Sequence, residues 1–155
     1  MSFLPDDLKF LVANRMLNAH KYDGQVYYIA CPDTLRLKIG FTKGDPVARL
    51  RALRTGSPTE IRLMAVHAGT IDDEQTIHRY FDEQRLHGEW FEVDEALFEF
   101  MSYIAWSRVS ISKFQGVTPP RWALLGLECV EDIIDAPTPD EQAAKIQEVH
   151  DEHNS

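Results

Sequence analysis

Apolar and polar positions along this chain follow two rhythms, and the points where one gives way to the other divide it into elements. Leu8, Leu11, Val12, Arg15, Met16 and Ala19 recur at helical spacing, which predicts an amphipathic helix over residues 5–20. Tyr22-Asp23-Gly24 interrupts it. Gln25 to Ala30 (QVYYIA), rich in β-branched and aromatic residues, reads as a strand. After a turn at Cys31-Pro32-Asp33-Thr34, Leu35 to Phe41 (LRLKIGF) alternates at period two, so the two strands can pair as a hairpin.

Asp45 as cap and Pro46 at the first helical position open a second helix, which runs through Val47, Leu50 and Leu53 to a stop at Gly56-Ser57-Pro58. Ile61 to His67 (IRLMAVH) is a third strand. Thr70-Ile71-Asp72-Asp73 has the cap-and-acid spacing of a helix start; Ile77, Tyr80 and Phe81 form its buried side and Gly88 ends it. Glu89-Trp90-Phe91 is a short extended piece, and Asp94 caps a further helix carrying Leu97, Phe98, Met101, Ile104 and Ala105. With Phe100, Tyr103 and Trp106 that helix is apolar on more than one face, which places it in the core or at a subunit interface, the core being the better reading. Gly116 to Pro120 is a linker, a short helical segment begins at about Arg121, and Thr138-Pro139-Asp140-Glu141 is a capping box for a last acidic helix. The order predicts an α/β (α+β) domain: a small three-stranded, mainly antiparallel sheet flanked by helices. An N-terminal helix (1–21) packs on a central domain (22–115), and a linker with a helical acidic tail (116–155) follows.

Composition narrows the class. At 155 residues, with 44% apolar and 26% charged positions, the chain is one globular domain and not a disordered one. Its apolar runs are too short to cross a bilayer, so no membrane partner is expected, and the acidic N-terminus lacks a signal-peptide layout. Cys31 and Cys129 alone make neither a disulfide framework nor a cysteine-rich zinc site, which favours a reducing, cytoplasmic setting. The net charge of −9 is unevenly spread. Residues 127–155 hold nine acids against Lys145, whereas residues 36–63 hold seven bases against Asp45 and Glu60. Such a basic element is compatible with a polyanionic partner, although charge alone fits two solvated surfaces better.

The chemistry-bearing stretches are QVYYIA, LKIGFTKGDPVARLRALRTGSP and EQTIHRYF-DEQRLHGEWF. Together, in this order and spacing over roughly residues 24–101, they resemble the GIY-YIG nuclease superfamily, in the phage-associated branch that reads KIG in place of YIG. The resemblance implies a metal-dependent endonuclease acting on DNA phosphodiesters. Tyr27 falls on the active-site phenol, Gly40 on the crowded glycine of the second motif, and Arg49 on the arginine that meets the scissile phosphate. Glu74 falls on the glutamate holding a single divalent cation, magnesium or manganese, and His78 on a histidine one helical turn later. Thr42, Lys43, Arg51 and Arg54 are then substrate-binding candidates. Gln25 replaces the first glycine, and Lys38 replaces a tyrosine, leaving one hydroxyl fewer. A lysine there can stabilise phosphate charge or share the general-base role. The alternative is a catalytically inactive nucleic-acid- or protein-binding module, with a protein partner or second copy meeting the aromatic helix at 94–108.

The residues carry this chemistry on physical grounds too. Magnesium prefers carboxylate oxygen and keeps several waters, so one glutamate suffices as its protein ligand. Arginine offers phosphate a planar fork, and Glu74 and His78, four apart, share a helix face. Each residue also has an ordinary structural reading. An acid in a first helical turn is favoured by the helix dipole, Arg49 can be solvated surface, and His78 beside Ile77 can be a buried structural histidine. Tyr27 and Tyr28 face opposite sides of one strand, and alternation does not say which meets the site. An acidic tail folded over the helix at Arg49 to Arg54 would restrain DNA binding, and deleting residues 136–155 would then raise affinity.

Overall fold

A computed structural model describes residues 4–31, 33–56, 60–119 and 123. Helix α1 (Asp6–Leu17) and a single 3-10 turn (Ala19–Lys21) lead into β1 (Gly24–Cys31), which hairpins to β2 (Arg36–Thr42). Helix α2 (Pro46–Thr55), β3 (Arg62–Gly69) and α3 (Ile71–Tyr80) follow. A 3-10 turn (Asp82–Gln84) then leads to β4 (Arg85–His87), β5 (Trp90–Glu92) and α4 (Glu95–Phe114). The class is the expected α+β, but the sheet has five strands rather than three, in the order β3-β1-β2-β5-β4 with every pairing antiparallel.

The two added strands explain another difference. Helix α3 stops at Tyr80 instead of running to Gly88, and Gly88, at φ +54°, turns the β4–β5 hairpin in a backbone region that glycine adopts without penalty. At three residues each, these strands are too short to show an alternation. Tyr80 is exposed rather than buried, while Ile77 and Phe81 are in the core.

The remaining helix starts lie where the sequence places them. Asp45 Oδ1 accepts from the Val47 amide at 2.9 Å, and Asp94 Oδ1 accepts from that of Leu97 at 2.9 Å. Thr70 and Asp73 form a reciprocal capping box, with bonds of 3.1 and 2.9 Å. The helix expected from about Arg121, Ala123 apart, and the acidic helix expected from Thr138 lie outside the described residues.

Both faces of the central strand β1 are covered. Val26 and Tyr28, with Leu37 and Ile39 of β2, pack under Leu8, Val12 and Met16 of α1, Ile77 of α3, and Leu97, Phe100 and Ile104 of α4. Tyr27, Ile29 and Cys31 face the other way, against Leu50 of α2 and Ile61. The aromatic helix is thus largely core. Phe100 is fully buried and Tyr103, half-buried, donates to the Lys9 carbonyl at 3.1 Å, while Phe98 and Phe114 are exposed. No helix among the described residues is long and apolar enough to cross a membrane.

Two polar contacts brace the larger core. Arg15 of α1 makes a two-pronged bond to Asp73 (2.7 and 3.0 Å), tying the first helix to the start of α3. Beneath it Tyr28 Oη lies 2.8 Å from His67 Nε2, while His67 Nδ1 lies 2.9 Å from the Ala68 carbonyl. A carbonyl only accepts, so Nδ1 carries the proton and Nε2 accepts from the phenol. Burial pushes the imidazole down to about 4, which keeps it neutral.

Candidate functional site

Antiparallel pairing puts Tyr27 directly opposite Gly40, and Ile29 opposite Lys38, so these four positions share the sheet face turned toward α2. A Cβ on Gly40 would clash with the hydroxyl end of the Tyr27 ring. The glycine is therefore the hollow into which the phenol lies, and it fixes the ring's position. On the exposed face of α2, Arg49 faces that phenol: Tyr27 first, and Glu89 more weakly, push its guanidinium pKa up. Of the two adjacent tyrosines, Tyr27 meets Arg49 and Tyr28 is spent on His67.

Lys38, next along β2 on the same face, donates to Glu89 Oε2 at 2.7 Å, and its ammonium lies 5.9 Å from the Trp90 ring centre. Glu89 sits in the Gly88-Glu89 turn of the β4–β5 hairpin, and its amide-side neighbour in the sheet is Ile39, whose N–H its carbonyl accepts at 3.0 Å. Sequence reasoning did not single out Glu89 because its place depends on that hairpin. The one available signal is its position between a turn glycine and two aromatics in HGEWF.

Glu74 is 1% exposed although it is the fourth residue of α3. Among the described residues no lysine or arginine lies within ion-pairing distance of it; its neighbours are His78 Nε2 at 3.3 Å and Gln75 Nε2 at 3.3 Å. Burial first, and the charge of Glu89 second, lift its pKa to about 7, against an opposing pull from Lys38. His78 Nε2 also lies 2.8 Å from the Ile39 carbonyl, and burial pushes this imidazole down, so it is neutral with its proton on Nε2.

The other candidates lie around this group without joining it. Thr42 Oγ1 accepts from the Gly44 amide at 2.9 Å and shapes the loop into α2. Lys43 and Arg51 are exposed, and Arg51, two residues from Arg49, points to a different side of the helix. The Arg54 guanidinium binds the Ile61 carbonyl at 3.3 Å through two nitrogens, fastening α2 to the chain entering β3.

A buried carboxylate without a cation fits a hard divalent ion that keeps most of its waters. Among the described residues there is no cluster of three or more histidine, cysteine, aspartate or glutamate side chains to hold a metal, so the fit is to a one-carboxylate site. On the α2 side stand a phenol beside a guanidinium and a positioned ammonium, and Glu74 of α3, a carboxylate that titrates near neutrality, feels the charges of Lys38 and Glu89. The family model of the T5orf172 domain matches residues 24–104, the span that contains every one of these groups. No curated protein and no solved structure matches the chain.

Proposed function

The chain belongs to the T5orf172 domain family, a phage-associated domain in the GIY-YIG-like nuclease group, and on that footing we propose that it is a divalent-metal-dependent endonuclease acting on DNA. The observation that carries the reading is Arg49 of α2 beside Tyr27 of β1, together with a buried Glu74 on α3 that no lysine or arginine among the described residues pairs with. Phosphodiester hydrolysis needs an activated water and charge stabilisation on the phosphoryl oxygens. Arg49, exposed and anchored to Tyr27, presents its fork to the scissile phosphate. Tyr27, as a phenolate beside the Arg49 charge, receives the proton of the attacking water and becomes the phenol. Lys38, held by Glu89, is a fixed positive charge beside the phosphoryl group rather than a mobile base. Glu74 would hold magnesium or manganese, and that ion would supply Lewis-acid stabilisation of the leaving group. His78, with its Nε2 proton committed to the Ile39 carbonyl, packs against the carboxylate and positions it.

Cleavage of supercoiled plasmid with magnesium, with manganese and with EDTA, beside Glu74→Gln, tests this reading. Nicking that needs the metal and disappears in Glu74→Gln is the expected result. The Lys38–Glu89 ion pair favours a second reading, a silent nucleic-acid-binding module, because it neutralises a charge the chemistry would use. Its signature is DNA binding in EDTA that Glu74→Ala leaves unchanged.

A further inference from the structure

A cleft of about 430 Å³ opens away from Tyr27 and Arg49, where the start of β1, the end of β3 and the last turns of α4 come together. Its walls include Tyr22, Gln25, His67, Arg108, Ser112 and Thr118. Arg108 is the unusual member. Among the described residues no carboxylate pairs with it, and burial alone acts on its guanidinium, lowering its pKa. Arginine is seldom drawn from water without a partner, because desolvating an unpaired charge is costly. Asp23 lines the same cleft but makes no ion pair with Arg108. Beneath it His67 is locked neutral by Tyr28 and Ala68, so it neither competes for an anion nor neutralises one.

We propose that this cleft binds the phosphate of a nucleotide, with Arg108 as its charged anchor. The guanidinium supplies a planar pair of donors suited to phosphoryl oxygens, and the hydroxyls of Ser112 and Thr118 line the same space. Tyr22 gives the cleft an aromatic wall and Gln25 an amide that can both donate and accept, the groups a base and sugar require. The volume lies in the range of small-molecule sites. Two sources carry this phosphate: a free mononucleotide, or a nucleotide of the nucleic-acid strand itself. The second rests on the proposed nuclease reading, since Gln25 precedes Tyr27 by two residues on the same face of β1, roughly 7 Å away.

The test is titration of the full chain with thymidine 5′-monophosphate and, separately, with a single-stranded oligonucleotide, both in EDTA so that catalysis plays no part. Wild type is compared with Arg108→Gln and Arg108→Lys. If the free nucleotide is the ligand, the monophosphate binds wild type, Arg108→Gln weakens it tenfold or more, and thymidine without phosphate does not bind. If the strand is the source, the monophosphate is silent while Arg108→Gln weakens the oligonucleotide tenfold or more and Arg108→Lys recovers part of the loss. Equal binding of both probes by wild type and Arg108→Gln overturns the proposal, as does binding of neither probe by wild type. A melting temperature for Arg108→Gln at or above that of wild type shows that the variant folds, because it removes an unpaired desolvated charge. Plasmid nicking retained in Arg108→Gln alongside lost monophosphate binding separates this site from the one around Tyr27.

Discussion

His78 Nε2 stands 2.8 Å from the Ile39 carbonyl oxygen, to which it donates, and 3.3 Å from Glu74 Oε1, so the ring is tied to the sheet and lies against the buried carboxylate. Only a neutral donor reaches Glu74, and the acid keeps its proton up to about pH 7. Its folded pKa lies above its ordinary value of 4.5, so the folded state holds the proton more tightly than the unfolded one. Metal-free stability should therefore fall as pH rises from about 4.5 to about 7 and then level off. Glu74→Gln removes that slope, and urea unfolding at pH 8 should find the variant more stable by up to about 3 kcal/mol, with little difference at pH 4. Parallel pH profiles for the two proteins would contradict this.

Magnesium competes with the same proton. Its stabilisation of the wild type, read as a rise in melting temperature at fixed concentration, should be larger at pH 8 than at pH 6 and absent in Glu74→Gln. A shift independent of pH would place the ion elsewhere.

Gly40 and Tyr27 occupy one space. Gly40→Ala should cost about 1–3 kcal/mol by forcing the ring out of place, and should abolish nicking. In a Tyr27→Ala background the same substitution should cost much less, since the clashing ring is gone. Additive costs in that double-mutant cycle would mean that the two positions do not interact.

Lys38 and Glu89 act on Glu74 with opposite signs. Carboxyl titration by NMR should find the Glu74 midpoint higher in Lys38→Met and lower in Glu89→Gln. Nicking by Lys38→Met should drop at least about tenfold if the ammonium stabilises the phosphoryl oxygens.

Arg15 and Asp73 join α1 to α3. Burial alone would push Asp73 up, but the bonds from Arg15 and the Thr70 amide outweigh it and hold the carboxyl below its ordinary 3.8. This stability is present above pH 3.8 and lost as pH falls through the lower folded value. Arg15→Met should cost about 3 kcal/mol at pH 7, with the penalty shrinking toward pH 2 in denaturant titrations.

The helix starts and the first three strands were legible because caps and periodicity are local signals: Asp45-Pro46, Thr70 with Asp73, and Asp94 each announce a helix through contacts within four residues. The β4–β5 hairpin was not legible. Its strands owe their form to pairing with β2 and carry no pattern of their own. With it went Glu89, whose partner Lys38 lies 51 positions away. Which tyrosine faces α2 was equally hidden, because β1 is buried on both faces and its apolar run has no polar side to mark. Tyr27, Gly40, Arg49, Glu74 and His78 are legible from a motif. The structure adds what surrounds each of them.

The back-to-back placement of Tyr27 and Tyr28 bears on how this protein avoids misfolding. A one-residue slip of β1 would exchange two side chains of the same size and chemistry, so hydrophobicity hardly distinguishes the native pairing from its nearest error. The discrimination comes from unlike partners. Gly40 leaves room for a ring on one face only, and His67 offers a phenol an acceptor on the other only. The slipped strand would meet a steric block and strand a hydroxyl in the core together, so the residues that arrange the chemistry also proofread the sheet.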